Sequence, residues 1–257
     1  MTHLRKIINE TILRRWGMHI ERSPTLTRGA LLTDYYELIL DYEVRLKREA
    51  FFYLQIGAND GVSRDDDLIG YVRDYGIRGV MVEPQPAIFE MLRANYREFP
   101  TITLVNKALH ETDRQVVLYM LDAAALRASG ARLPRWARTS GIASFSRAHV
   151  ERHVRRLGVG TEAIIVEARV PCVTLRELIA EHRITTVDLL KIDTEGYDYH
   201  ILRMLDLTRV QPRLIRFEHA HMRRRDYDEV IERLSRHEYR FICGKTNTVA
   251  VRVHRSS

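Results

Sequence analysis

The sequence predicts an α/β protein in which a mostly parallel sheet carries helices on both faces. Short apolar runs that read as buried strands alternate with stretches of 3.6-residue apolar periodicity from residue 51 onward. The chain then closes on YRFICGKTNTVAVRV, two β-rich runs around Gly244 and Asn247 that read as an antiparallel hairpin. With 257 residues the chain is long enough for one full α/β core.

Residues 1–50 read as helices separated by Ser23 and Pro24. Leu4, Ile7, Ile8 and Ile12 mark one face, and Leu31, Tyr35, Leu38, Ile39 and Tyr42 a second stripe. This N-terminal helical extension is expected to pack on the sheet or over the ligand mouth, with a dimer surface or membrane association through its basic first helix as the other readings.

The stretch that organises the rest is FFYLQIGANDG, residues 51–61. An apolar run stops at Gly57, and Gly57 and Gly61 bracket Ala58, Asn59 and Asp60, so the backbone can turn tightly and approach a ligand closely. Ser63 with Asp66 forms a capping-box pattern for a helix carrying Leu68, Ile69, Val72 and Tyr75, which Gly76 can end. A second buried strand at 79–82 delivers Glu83 roughly 20 residues after the glycine loop, the spacing at which a carboxylate meets ribose hydroxyls in a nucleotide-binding βαβ unit.

Pro84-Gln85-Pro86 opens a helix with Ile88, Met91, Leu92, Tyr96 and Phe99 on one face, stopped by Pro100. Residues 102–109 read as a third buried strand with polar Asn106 near its end, and 116–121 as another. Residues 122–160 are the least regular part. Eight arginines stand between Arg127 and Arg156 against one acid, Glu151, which fits either a solvated face or a segment over the site that meets an anionic or hydroxyl-rich substrate.

Order returns at 164–173, and Thr174 with Glu177 makes a second capping box. Residues 187–192 form a buried strand whose C-terminal end holds Asp193, Thr194, Glu195 and Gly196, the end at which open α/β sheets bind ligands. The strand at 214–217 delivers Glu218, His219 and His221, and Tyr227, Val230, Ile231 and Leu234 mark one more helix.

The formal charge of +7 permits attraction to acidic partners without selecting one. The interleaved aromatics of the arginine-rich stretch, Trp136 and Phe145, are too few for a single-strand stacking platform, so nucleic acid is disfavoured. Cys172 and Cys243 lie far apart, which encodes neither a disulfide framework nor a cysteine zinc site and points to the cytoplasm. No run approaches the roughly 18 to 20 apolar residues of a membrane span.

Four segments resemble the FkbM family of S-adenosylmethionine-dependent methyltransferases: LQIGANDG (54–61), VMVEPQP (80–86), LVNKAL (104–109) and LLKIDTEGYDYHIL (189–202). RLIRFEH and NTVAVR are similar as well, so the resemblance covers about residues 50–255 and leaves out residues 1–50 and the arginine-rich insert at about 122–160. It implies a Rossmann-like class I methyltransferase fold: a mostly parallel seven-stranded sheet with a C-terminal antiparallel hairpin and helices on both faces. It further implies S-adenosyl-L-methionine as cofactor, with Gly57, Ala58, Asn59 and Gly61 around its methionine end. Glu83 and Pro84 would lie at the ribose, Asn106 beside the adenine, and Asp193 facing cofactor and substrate. Gln55 stands where many members carry an acid. An amide still hydrogen-bonds the cofactor's amino group but adds no charge attraction.

O-methylation of a hydroxyl on a small metabolite, saccharide or natural product is the reaction expected, with Asp193, Glu218 and His219 as candidate catalytic residues and His221 just beyond. Asp193, Glu195 and Glu218 could also gather oxygen ligands for Mg²⁺, although no residue is assigned as a metal ligand. Two other functions fit parts of the sequence: an NAD-dependent oxidoreductase, since Glu83 would serve NAD equally well, and a basic nucleic-acid-binding module without catalysis. The glycine spacing and the lack of a Tyr-x-x-x-Lys pair count against the first. A homo-oligomer is compatible with all three.

Overall fold

In the computed structural model the described residues are 35–62, 68–122, 124–125, 142–156 and 164–253. The first helical stripe, the Ser63 cap and most of the arginine-rich stretch lie outside them. Helix α1 (Tyr35–Lys47) runs through a 3₁₀ turn (Arg48–Ala50) into strand β1 (Phe52–Ile56). Helix α2 (Leu68–Tyr75), β2 (Arg78–Val82), α3 (Pro86–Tyr96) and β3 (Ile102–Val105) follow. Next come β4 (Ala108–Leu109), β5 (Gln115–Leu121), β6 (Ala143–Ser144), α4 (Arg147–Arg156), β7 (Ile165–Val173) and α5 (Leu175–Glu181). The chain ends with β8 (Leu189–Ile192), α6 (Asp198–Met204), β9 (Leu214–Glu218), α7 (Arg224–Arg236), β10 (Tyr239–Cys243) and β11 (Asn247–Arg252).

Seven strands form one sheet in the order β10-β11-β9-β8-β1-β2-β3. Neighbours from β9 to β3 pair in parallel, and β11 inserts antiparallel between β9 and β10. This is the Rossmann-like arrangement expected from the resemblance, with the terminal hairpin as its antiparallel part. The order turns around at β1 and β8, so the C-terminal ends of these two strands flank the crevice where ligands of open α/β sheets bind.

The apolar runs are continuous because both faces of the sheet are covered. Tyr53, Met81, Leu189 and Leu214 point to the face packed by Tyr36, Leu40 and Val44 of α1, Leu68 and Val72 of α2, and Leu92 and Tyr96 of α3. Leu54, Val80, Leu190 and Ile215 point to the other, against Leu175 and Leu178 of α5, Ile201 and Leu202 of α6, and Val230 and Leu234 of α7.

Two expectations are corrected. Residues 102–109 are two strands, with β3 in the main sheet and β4 in a second sheet of order β4-β7-β5-β6. The break comes at Asn106, whose side-chain amide donates to the carbonyls of Glu83 and Pro84 (2.8 and 3.3 Å) and ties the chain between the two strands to the end of β2. The strands expected at 116–121 and 164–173 form, as the long antiparallel pair of that second sheet. On α1 the stripe faces the wrong way: Tyr35, Leu38 and Tyr42 are 71%, 61% and 64% exposed, while Tyr36, Leu40 and Val44 are buried. Polar anchors set this rotation, since Lys47 pairs with the buried Asp188 and buried Glu43 accepts from Arg213 Nε at 2.7 Å.

Candidate functional site

The glycine loop forms because β1 must hand over to a turn pressed between two strands. Asp193 N–H donates to the Ile56 carbonyl (2.9 Å), and the Gly57 and Ala58 amides donate to the Val82 carbonyl (2.9 and 3.0 Å). A Cβ on Gly57 would lie 1.8 Å from the Asp193 carbonyl oxygen, and its φ of +81° is also one that side chains disfavour. A Cβ on Gly61, at φ +71°, would lie 2.4 Å from the Tyr96 ring and 2.6 Å from Leu92. Asn59 also holds positive φ (51°), which its side chain supports by accepting from the Asp60 N–H at 2.7 Å.

Glu83 emerges from β2 under this loop. One carboxylate oxygen accepts the Asn59 N–H and the other the Gln85 N–H, both at 2.9 Å, so the acid ties the glycine loop to the start of α3. Burial raises its pKa to about 7 against the pull of those two amide donors. Gln55 is buried in β1, and Asn106 stands half-buried beside the Glu83 and Pro84 carbonyls. Gln55, Gly57, Ala58, Asn59, Gly61, Glu83, Pro84, Asn106 and Asp193 thus all belong to the three strand ends β1, β2 and β3 and the adjoining end of β8.

Asp193 opens this edge toward solvent. The protein enclosing its carboxyl, together with the neighbouring Asp198 and Glu195 carboxyls, raises its pKa above the usual carboxylate range. Asp198, which the sequence reading passed over, fixes the loop after β8. One of its oxygens accepts from the Thr194 N–H and hydroxyl (3.1 and 2.6 Å), the other from the Glu218 N–H (2.9 Å). The ends of β8 and β9 are thereby clamped together.

The two histidines after β9 diverge. His219 Nδ1 lies 2.9 Å from the Thr248 hydroxyl, which also contacts Tyr227, so His219 faces the terminal hairpin. His221 turns inward instead, with Nε2 3.5 Å from a Glu195 oxygen and 3.4 Å from a Glu218 oxygen.

The arginine-rich insert reaches the same place through α4. Val150 and Val154 bury one face of that helix against Leu121, Ile164 and Ile165 of the second sheet. The adjacent face carries His149 and His153, and His149 Nε2 comes 3.1 Å from the Glu195 oxygen that His221 approaches. The Ser144 hydroxyl, donating to the Glu195 carbonyl at 3.0 Å, pins the insert to the β8–α6 loop. Arg147, Arg152 and Arg155 are exposed, Arg147 pairing with Glu151 and Glu167 and Arg155 with Glu151. Counting arginines concealed the informative signal in RAHVERHVRR, two histidines at i and i+4 on one helix face.

Residues 55–241 match the model of the family described as the methyltransferase FkbM domain. No curated protein matches the chain. Solved structures similar in fold include an RNA methyltransferase from Salinibacter ruber in complex with S-adenosyl-L-homocysteine, 13% identical with a TM-score of 0.37 over 87% of this chain and 95% of that one. A precorrin-6y C5,15-methyltransferase from Geobacter metallireducens is 12% identical, TM-score 0.40, over 88% and 93%. The METTL16 methyltransferase domain is 12% identical, TM-score 0.41, over 98% and 81%.

Proposed function

This chain belongs to the FkbM methyltransferase family, and from that premise we propose that it transfers the methyl group of S-adenosylmethionine to a hydroxyl oxygen of a small metabolite, saccharide or natural product. The observation that carries the reading is the coupling of Glu83 to the Gly57–Gly61 loop through the Asn59 amide. A carboxylate held at the tip of β2 accepts ribose hydroxyls, while a loop without side chains at its two bends lets the backbone lie against the cofactor.

The cofactor's sulfonium supplies an activated methyl group. The protein's part is to hold the acceptor oxygen in line behind the methyl carbon, roughly 3 Å away. Methylation of a hydroxyl would release its proton, which a group on this chain must accept. Asp193 fits the role of base. It opens to solvent at the cleft, and its raised pKa makes its carboxylate a better proton acceptor than an ordinary surface acid. Glu218 stands beside it across the Asp198 clamp, whereas His219 is engaged by Thr248.

The test is incubation with CD₃-labelled S-adenosylmethionine and a panel of hydroxylated acceptors, followed by mass spectrometry of the products. Label in a methyl ether, lost by on the order of 10²-fold in Asp193→Asn while cofactor binding persists, supports the reading. Label found on nitrogen or carbon, or an Asp193→Asn enzyme of unchanged rate, overturns it.

A further inference from the structure

His149, His153, Glu195 and His221 each offer one ligand atom, and those four atoms lie within 4.8 Å of one another. We propose that they form a binding site for a divalent transition-metal ion, zinc or a first-row neighbour. The donor set of three imidazoles and one carboxylate is that of borderline metals, whereas Mg²⁺ and Ca²⁺ prefer oxygen throughout.

Distances agree with the chemistry. A tetrahedral ion bound at about 2.0–2.1 Å places its ligand atoms about 3.3 Å apart. The Glu195 oxygen is 3.1 Å from His149 Nε2 and 3.5 Å from His221 Nε2, so two edges of such a tetrahedron are already set. His153 Nδ1 lies 3.1 Å from the His149 carbonyl. Donating there leaves the Nε2 lone pair of His153 for the ion, the second-sphere contact that orients metal-binding histidines. Ring centroids of 4.6 Å (His149–His153) and 4.4 Å (His149–His221) bring the three imidazoles to one point.

The protein builds this arrangement at a cost. His149 is only 4% exposed, and Glu195 holds φ +52° ahead of Gly196 at +109°, a backbone conformation costing about 1–3 kcal/mol that turns Glu195 toward α4. Gly196 is required by its φ of +109° rather than by space, since a Cβ there would meet His221 and His149 only at ordinary contact distances of 3.8 and 3.9 Å. The three supporting segments are remote in sequence, yet Ser144 and Asp198 lock them to one edge of the sheet. Glu195 is two residues from Asp193, so the ion would lie beside the acceptor region, where expansion from four to five ligands would let it hold an acceptor oxygen as a Lewis acid. That role rests on the methyl-transfer reading; the site itself does not.

The experiment is titration of the chelator-treated full chain with Co²⁺, read by visible absorption, then displacement by Zn²⁺ and metal analysis after dialysis. The expected result is about one ion per chain, with affinity lowered at least tenfold in His149→Ala and in the half-buried His153→Gln, and unchanged in His182→Ala, a histidine outside the cluster. Calorimetry with S-adenosylmethionine on the same samples reports whether each variant is folded and whether the cofactor reading holds independently. Absence of a cobalt band from a protein that binds S-adenosylmethionine, or binding unaffected by His153→Gln, overturns the site and identifies the cluster as hydrogen-bonded histidines only. Stoichiometric metal in a protein that fails to bind the cofactor leaves the site standing and removes the methyl-transfer reading.

Discussion

Two glycines with positive φ separate steric from conformational necessity. At Gly76 (φ +61°) nothing lies within 4 Å of a Cβ, whereas at Gly57 the Cβ would strike the Asp193 carbonyl. Gly76→Ala is therefore expected to cost about 1–2 kcal/mol, the left-handed penalty alone. Gly57→Ala adds overpacking, for about 2–5 kcal/mol in all, and loses cofactor binding. Urea unfolding checks both, and equal costs would contradict the account. Glu83 gives a pH prediction. Its folded pKa is raised from 4.5 to about 7, so its contribution to the stability of the ligand-free protein is full below about 4.5 and is lost as pH rises through 7. In the proposed cofactor site the dependence runs the other way, because ribose hydroxyls would donate to the ionised acid. Affinity should rise by up to about tenfold per unit as pH approaches 7 and level off above it, and calorimetry at several pH values should find that slope flattened in Glu83→Gln. Gly57, Glu83 and Asp193 were legible in the sequence because strand, turn and spacing betray them. Asp198 and the inward turn of His221 were not, since both depend on the β8–β9 clamp, a contact 20 residues apart in sequence.

At the scale of elements, helix α1 is held to the sheet by charges as much as by its apolar face. Arg213→Ala would leave the Glu43 carboxylate buried without its guanidinium, and about 2 kcal/mol of stability should be lost in urea unfolding. A loss below about 0.5 kcal/mol would mean that packing of Tyr36, Leu40 and Val44 alone sets the helix rotation. The same helix shows why its exposed face was misread. Tyr35, Leu38 and Tyr42 make as good a 3.6-residue stripe as Tyr36, Leu40 and Val44, and only the partners of Glu43 and Lys47 decide between them. The Thr174 capping box, by contrast, is a local device and was read correctly. The Thr174 hydroxyl accepts the Glu177 N–H at 3.2 Å, and the Glu177 carboxylate accepts the Thr174 N–H at 3.0 Å.

Across the whole molecule, the main sheet was legible because its strands follow the local alternation of apolar runs and helices. The second sheet was not: β4 is two residues long, β6 is two residues long, and the β5–β7 ladder joins segments separated by the insert. That sheet brings α4 and its histidines to the loop after β8. Among the described residues no helix is long and apolar enough to cross a membrane. The central claim is the cofactor pocket between the glycine loop and Glu83, and calorimetric titration with S-adenosylmethionine, with NAD in parallel, tests it most directly. Micromolar binding of S-adenosylmethionine is expected, weakened at least about tenfold by Glu83→Ala through loss of a charge-accepted hydrogen-bond pair, with no comparable binding of NAD. Absence of S-adenosylmethionine binding, a preference for NAD, or affinity indifferent to Glu83→Ala would contradict it.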